Sequence, residues 1–177
     1  MISAEEVTVS QYHSPEEFKD FQCEKQGYCD FVKNEEEALL YQTRNLGVTY
    51  VFKYKGSAIG YVTLAMGDLD KTVLVNERQE EKPFRNVPSL LLGHMARDYR
   101  LIGQGVGKIM VDFTFDKAHE MAQEIGCRFV IVDAETDNLE RYRLFGFESI
   151  PSKPEDRTVL MFFDLGVRSR NELERLK

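Results

Sequence analysis

The chain has 177 residues, enough for one domain with a substantial core. It is 42% hydrophobic and 30% charged, and no apolar run approaches the roughly 18 residues of a membrane span, so it reads as a globular protein without a membrane segment. The net charge of −7, from 30 acidic and 23 basic residues, argues against broad electrostatic attachment to nucleic acid and mildly favours an amine-bearing substrate.

The opening MISAEEVTVS has neither a basic nor an apolar leader region, so a cytoplasmic location is expected. Of the three cysteines, Cys23 and Cys29 fit no common zinc spacing, and Cys127 stands alone at the head of an apolar strand. Idle thiols in a reducing compartment, and no metal site, are the expectation.

Val7–His13 predicts a first strand by its alternation. Ser14-Pro15-Glu16-Glu17 carries the cap, the N1 proline and the returning glutamate of a helix start. Asn34 and the run Glu35–Glu37 repeat that logic before a helix over Ala38–Asn45, with Gly47 as its stop. Val48–Tyr54 and Ala58–Ala65, joined by Lys55-Gly56-Ser57, predict a hairpin. Gly67–Val87 reads as a polar excursion around an apolar island at Val73–Val75, and Ser89–Ala96 as a buried strand.

Gly105–Ile125 has the strongest helical pattern, with Val106, Ile109, Met110, Phe113, Ala118, Met121, Ala122 and Ile125 as its apolar stripe and Gly126 as its end. Arg128–Ala134, Phe147–Ile150 and Thr158–Leu165 predict strands, Asn138–Phe145 a short helix, and Arg168–Leu176 a charged C-terminal helix or tail. The sum is one α/β or α+β domain over 1–177, with a tail from 166 onward and a mixed sheet carrying helices on both faces.

The most specific segment is Gly103-Gln104-Gly105-Val106-Gly107-Lys108, between a strong strand and the strong helix. Alternate glycines clear side chains from a place where helix-start amides are unpaired, which suits a pyrophosphate. A P-loop would need glycine at position 102 and Ser or Thr at 109, where Ile102 and Ile109 stand. A dinucleotide fingerprint needs its third glycine one residue later. A tight turn with glycines for packing alone is the bland alternative.

Leu90-Leu91-Leu92-Gly93-His94-Met95-Ala96-Arg97-Asp98 followed by Gly103-Gln104-Gly105-Val106-Gly107 resembles the core of the GNAT N-acetyltransferases, and the order of elements from Val7 to Leu165 resembles their fold. Ile102 stands where that family usually has Gln or Arg. The resemblance implies a mostly antiparallel sheet with a central splay. It implies acetyl-CoA as cosubstrate, its phosphates on the amides of Ile102, Gly103, Gln104, Gly105, Val106, Gly107 and Lys108, and its pantetheine arm along Met95, Ala96 and Arg97. An amide in that stretch would face the thioester carbonyl as an oxyanion-hole donor. Arg97 either reaches towards substrate or marks an exposed strand end.

Tyr142, in Tyr142-Arg143-Leu144-Phe145-Gly146-Phe147, resembles the tyrosine that approaches the coenzyme sulfur in the family. Its ordinary pKa near 10 suits a donor that stays protonated at neutral pH. An amphipathic tyrosine packed beside Leu144 and Phe145 is the alternative. Asn138 is either a helix cap or a coenzyme contact. Asp133, Glu135 and His94 are candidate bases, while His13 and His119 look like surface residues.

The function implied is N-acetylation of a primary amine on a small molecule, peptide or protein. The core run is most similar to the acetyltransferase toxins of toxin–antitoxin pairs, which acetylate aminoacyl-tRNA. A coenzyme-binding regulatory domain without turnover is the competing class, and the sequence leaves a homodimer open.

Overall fold

Lys55 and Gly56 both take positive φ, 51° and 82°, the mirror-image turn that matches the twist of two antiparallel strands. They join β2 (Val48–Tyr54) to β3 (Ser57–Asp70) in the register Tyr54↔Ser57 through Val48↔Leu64. In this computed structural model, which describes residues 1–34, 36–74, 84–153 and 156–166, seven strands form a sheet in the order β1-β2-β3-β4-β5-β7-β6. The others are β1 (Val7–Gln11), β4 (Asn86–Arg97), β5 (Phe129–Glu135), β6 (Glu148–Ser149) and β7 (Thr158–Asp164). Pairing is antiparallel for β1–β2, β2–β3, β5–β7 and β6–β7, and parallel for β4–β5.

The parallel ladder covers only Ser89–Leu91 against Phe129–Ile131, so Leu92–Arg97 lie beyond its recorded end. Among the described residues the α-helices are α1 (Gln26–Lys33), α2 (Ala38–Thr43), α3 (Val106–Glu124) and α4 (Leu139–Leu144). The packing divides the chain into two compact units, Met1–Ala65 with Leu92–Thr114, and Met66–Leu91 with the chain from Phe115 onward.

The first unit is built on aromatic rings. Tyr12, Phe18, Phe21, Phe31 and Tyr61 are buried together. Phe18 meets Phe21 and Tyr61 edge-on, at centroid distances of 5.1 and 5.7 Å, the arrangement that ring quadrupoles favour. The buried hydroxyls stay satisfied: Tyr12 donates to the Val32 carbonyl at 3.0 Å and Tyr61 to that of Tyr28 at 2.7 Å. Phe18→Ala is therefore expected to destabilise by about 3–5 kcal/mol, the usual cost of removing a buried phenyl ring, as a shift of the denaturant midpoint at constant slope. The second unit packs Leu69, Leu74, Val87, Phe129, Ile131 and Phe162.

Several local expectations change. The Ser14–Glu17 signal opens only a single 3₁₀ turn, Pro15–Phe18, although the Glu17 carboxylate does return to the amides of His13 at 2.8 Å and Ser14 at 3.3 Å and also takes the Lys53 ammonium at 2.6 Å. The full helix comes later, at Gln26–Lys33. Asn45, not Gly47, ends α2. It adopts φ 56° while the Leu46 amide closes back on the Tyr41 carbonyl at 2.8 Å. β3 runs on to Asp70, so the polar excursion begins later than Gly67. Leu74 of its apolar island joins the second core, while Val75, the rest of 75–83, Glu35 and the Arg168–Leu176 tail lie outside the described residues.

The helix α3 is one residue shorter at each end than expected and shifts its buried face. Val106, Met110, Val111, Thr114, Phe115 and Ala118 are buried, and Ile125 is 70% exposed. Thr114 can be buried because its hydroxyl donates to the Met110 carbonyl at 2.9 Å.

Candidate functional site

From Asp98 the backbone makes a 3₁₀ turn, Tyr99–Leu101, then the glycine turn, then α3. Gly103 and Gly105 take φ of 80° and 88°, which only glycine adopts without strain. Turn hydrogen bonds use some amides and spare others. Ile102 donates to Tyr99 O at 3.2 Å, Gln104 to Leu101 O at 3.1 Å, and Lys108 and Ile109 to Gly105 O at 3.1 and 3.2 Å.

The amides of Gly103, Gly105, Val106 and Gly107 have no partner among the described residues. A side chain added at Gly103 or Gly107 would meet nothing within 4 Å, so this backbone is open to a ligand. Unpaired donors at the start of a 19-residue helix attract an anion through their partial charges and the helix dipole. The Ile102 amide, expected to face phosphate, is committed internally, because the 3₁₀ turn before it runs one bond further. Lys108 is paired with Asp112 one helical turn on, and the Ile2 amide donates to Gln104 O at 3.0 Å.

Met95, Ala96 and Arg97 occupy the end of β4 and are half-buried. Ala96 packs on the aromatic core. Arg97 does not mark an exposed strand end: its Nε is sealed from solvent and has no hydrogen-bond partner among the described residues. His94, just before them, lies flat on Phe31 with centroids 4.0 Å apart, and its Nδ1 is likewise sealed. Burial pushes the imidazole below its ordinary 6.5, against an opposing pull from the Glu37 carboxylate. His94 is therefore neutral at pH 7.

In the second unit, α4 ends in a motif that fixes Tyr142. Gly146 adopts φ 89°, its amide returns to Arg143 O at 2.9 Å, and the Phe147 amide returns to Tyr142 O at 3.1 Å. The same turn carries Phe147 onto the Tyr142 ring, edge to face at 5.5 Å. Leu144 is 87% exposed, so the tyrosine does not pack beside it. Asn138 precedes the helix, but its side chain makes no cap. Its Nδ2 donates to Glu135 at 3.3 Å and its Oδ1 accepts from Arg141 at 3.2 Å. Asp133 is exposed on β5 and Glu135 is held by that Asn138 contact. His13 is exposed, whereas His119 is half-buried on α3 with Nδ1 sealed.

Sequence reasoning missed two features. Cys23 and Cys29 are not idle thiols but form a disulfide, Cα to Cα 5.7 Å, because α1 brings its fourth residue back beside the loop before it. Cys127 is free and buried, and burial raises its thiol, leaving it protonated and inert. The other is Asp98, only 1% exposed. It receives Arg100 Nε at 2.8 Å, Arg100 Nη2 at 2.6 Å, and the amides of Arg100 at 3.0 Å and Gln22 at 3.3 Å. An aspartate immediately ahead of a turn was the available signal.

Burial alone would raise the Asp98 carboxyl, but these donors outweigh it and hold it below its ordinary 3.8. Glu17 is held below 4.5 in the same balance, against burial, by Lys53 and two amides. The shifts of Asp98, Glu17 and His94 are all depressions, so each contributes stability present above the unfolded-state pKa and lost as pH falls through the folded one. The melting temperature is expected to fall on acidification, beginning just below pH 6.5, where the imidazole of His94 takes a proton in the unfolded chain before the folded one, and steepening below about pH 4.5 with the carboxylates. A scan from pH 8 to 3 measures it, and a melting temperature that rises over that range contradicts it.

This is the GNAT acetyltransferase fold, a mixed, mostly antiparallel sheet whose parallel ladder ends early and whose longest helix starts at a glycine turn. The solved structures that share it include bacterial toxins. AtaT complexed with acetyl-methionyl-tRNAfMet is similar at 19% identity and a TM-score of 0.80, over 92% of this chain and 97% of that one. A tyrosine-to-phenylalanine variant of KacT is similar at 19% identity and 0.81, over 93% and 98%. AtaTR bound with acetyl-CoA is similar at 19% identity and 0.71, over 93% and 97%. No family model matches the sequence. Among the described residues no helix is long and apolar enough to cross a membrane.

Proposed function

We propose that this chain is an acetyl-CoA-dependent N-acetyltransferase, one acetyltransferase domain that moves an acetyl group to a primary amine by direct attack. The observation that carries it is the glycine turn, with the amides of Gly103, Gly105, Val106 and Gly107 unpaired at a helix start. They suit the pyrophosphate of the coenzyme, with Ile102, Gln104 and Lys108 flanking it. The same fold in a structure bound with acetyl-CoA supports that choice of anion.

In this reading Met95, Ala96 and Arg97 run beside the pantetheine arm, and a main-chain amide among them stabilises the oxygen that gains charge as the amine attacks. The amine nitrogen bonds to the acetyl carbon, the carbon–sulfur bond breaks, the amine proton leaves to water, and Tyr142 donates its hydroxyl proton to the departing thiolate. Asn138 is assigned a coenzyme contact at the start of α4. Tyrosine-to-phenylalanine variants of AtaT and KacT have been solved, which supports testing a tyrosine in this role.

The AtaT complex with acetyl-methionyl-tRNAfMet makes the α-amine of an aminoacyl-tRNA the first acceptor to test, beside small amines and peptides. The test is thiol release from acetyl-CoA with that acceptor panel. Release that depends on acceptor and rises with pH as the amine loses its proton is expected. Coenzyme binding without release from any amine would leave a binding domain without turnover, and no binding at all would sink the reading.

A further inference from the structure

We propose that Asp98 and Arg100 are positioning residues that hold the glycine turn in its anion-accepting shape before any ligand arrives. The inference rests on the reading of Gly103–Gly107 as the coenzyme-phosphate site and adds how its shape is kept. A carboxylate only 1% exposed has to be paired, and this one gathers four donors. Two of them are the Nε and Nη2 of Arg100, a fork closed on both carboxylate oxygens.

The clamp joins three stretches of chain. Arg100 Nη2 also donates to Asp20 O at 2.7 Å, and the Tyr99 amide donates to Gln22 O at 2.9 Å, so residues some eighty positions away are bolted to the turn. The Asp98 amide is fixed in turn on Ile59 O at 2.9 Å. Everything downstream then follows in single steps. The Leu101 amide closes on Asp98 O at 3.0 Å, Ile102 on Tyr99 O, and Gln104 on Leu101 O. These bonds use the amides of Leu101, Ile102 and Gln104 and leave those of Gly103 and Gly105, both at positive φ, unpaired among the described residues.

A glycine-rich turn left to itself samples many conformations, and its ordering would be charged against ligand binding. The clamp meets that ordering cost during folding. Loss of the clamp should therefore appear in coenzyme affinity and not in the rate of the saturated enzyme.

The test uses Asp98→Asn, whose amide sets N–H groups against the donors of Arg100, and Arg100→Lys, which keeps the charge but cannot bridge both oxygens. Three quantities are measured: the acetyl-CoA Kd by calorimetry, kcat at saturating acetyl-CoA, and amide exchange of the 101–107 segment without coenzyme. Expected for Asp98→Asn are a Kd raised about tenfold by the ordering cost, kcat within about twofold, and faster exchange at the turn; Arg100→Lys should shift the same way by less. A lower melting temperature with Kd and exchange both unchanged would show a structural bond only and overturn the proposal. Should Asp98→Asn fail to fold, unchanged exchange and Kd in Arg100→Lys overturn it equally. A wild-type chain that binds no acetyl-CoA defeats the functional reading instead, while the exchange comparison still decides whether the clamp orders the turn.

Discussion

Tyr142→Phe should lower kcat by about 10²–10⁴-fold, the range for loss of a general acid, while leaving coenzyme binding and the melting temperature close to those of the wild type. The substitution removes one oxygen and keeps the ring that meets Phe147 edge-on. The backbone around it is held by Gly146 and the two amides that close the end of α4, none of which involves the hydroxyl. A thiolate leaving without a proton is a poor leaving group at neutral pH, so the loss belongs in the chemical step. Single-turnover measurements at saturating acetyl-CoA isolate that step. An unchanged rate would reduce Tyr142 to a packing residue with water as the proton donor.

Gly105→Asp should abolish the thermal stabilisation that acetyl-CoA gives the wild-type chain. A ligand at 100 times its Kd stabilises the native state by about 2.7 kcal/mol, which a melting curve resolves easily. The carboxylate would sit beside the amides of Val106 and Gly107, filling the place of the pyrophosphate and repelling its charge, a juxtaposition that costs several kcal/mol. Fold survival is expected, since the nearest atoms to a new Cβ are Met1 Cγ at 3.4 Å and Ile2 O and Met1 Sδ at 3.9 Å, none closer than ordinary van der Waals contact. The φ of 88° makes any side chain strained here, so Gly105→Ala is the control. It should melt lower than the wild type yet keep part of the coenzyme shift. If Gly105→Asp and the wild type gain equally from acetyl-CoA, the anion lies elsewhere.

Much of the local structure could be read from neighbouring residues. Lys55-Gly56-Ser57 between two β-rich runs marked a hairpin, though not its mirror turn, which puts Lys55 at a φ that lysine seldom adopts. Gly126 after α3 and Gly146 after α4 end their helices by the same left-handed geometry. The spacing of Gly103, Gly105 and Gly107 marked the turn, and the order of elements around it marked the fold. The phase of α3 was less legible. Its buried face includes Thr114, which a hydrophobic pattern cannot find, since burial there depends on a hydroxyl returned to the Met110 carbonyl.

By itself, then, the sequence determined the elements, their order and the glycine turn, since each rests on hydrogen bonds closed within a few residues. The tertiary structure alone decided which carboxylate holds that turn and what else the carboxylate meets. Asp98 looks like any turn aspartate until the chain brings Gln22 and Asp20 alongside it and Arg100. It alone also decided that Cys23 meets Cys29 rather than remaining a thiol. The physical reason is the same in each case. A buried charge or a paired sulfur is defined by neighbours in space, and the local pattern does not record how far along the chain those neighbours lie.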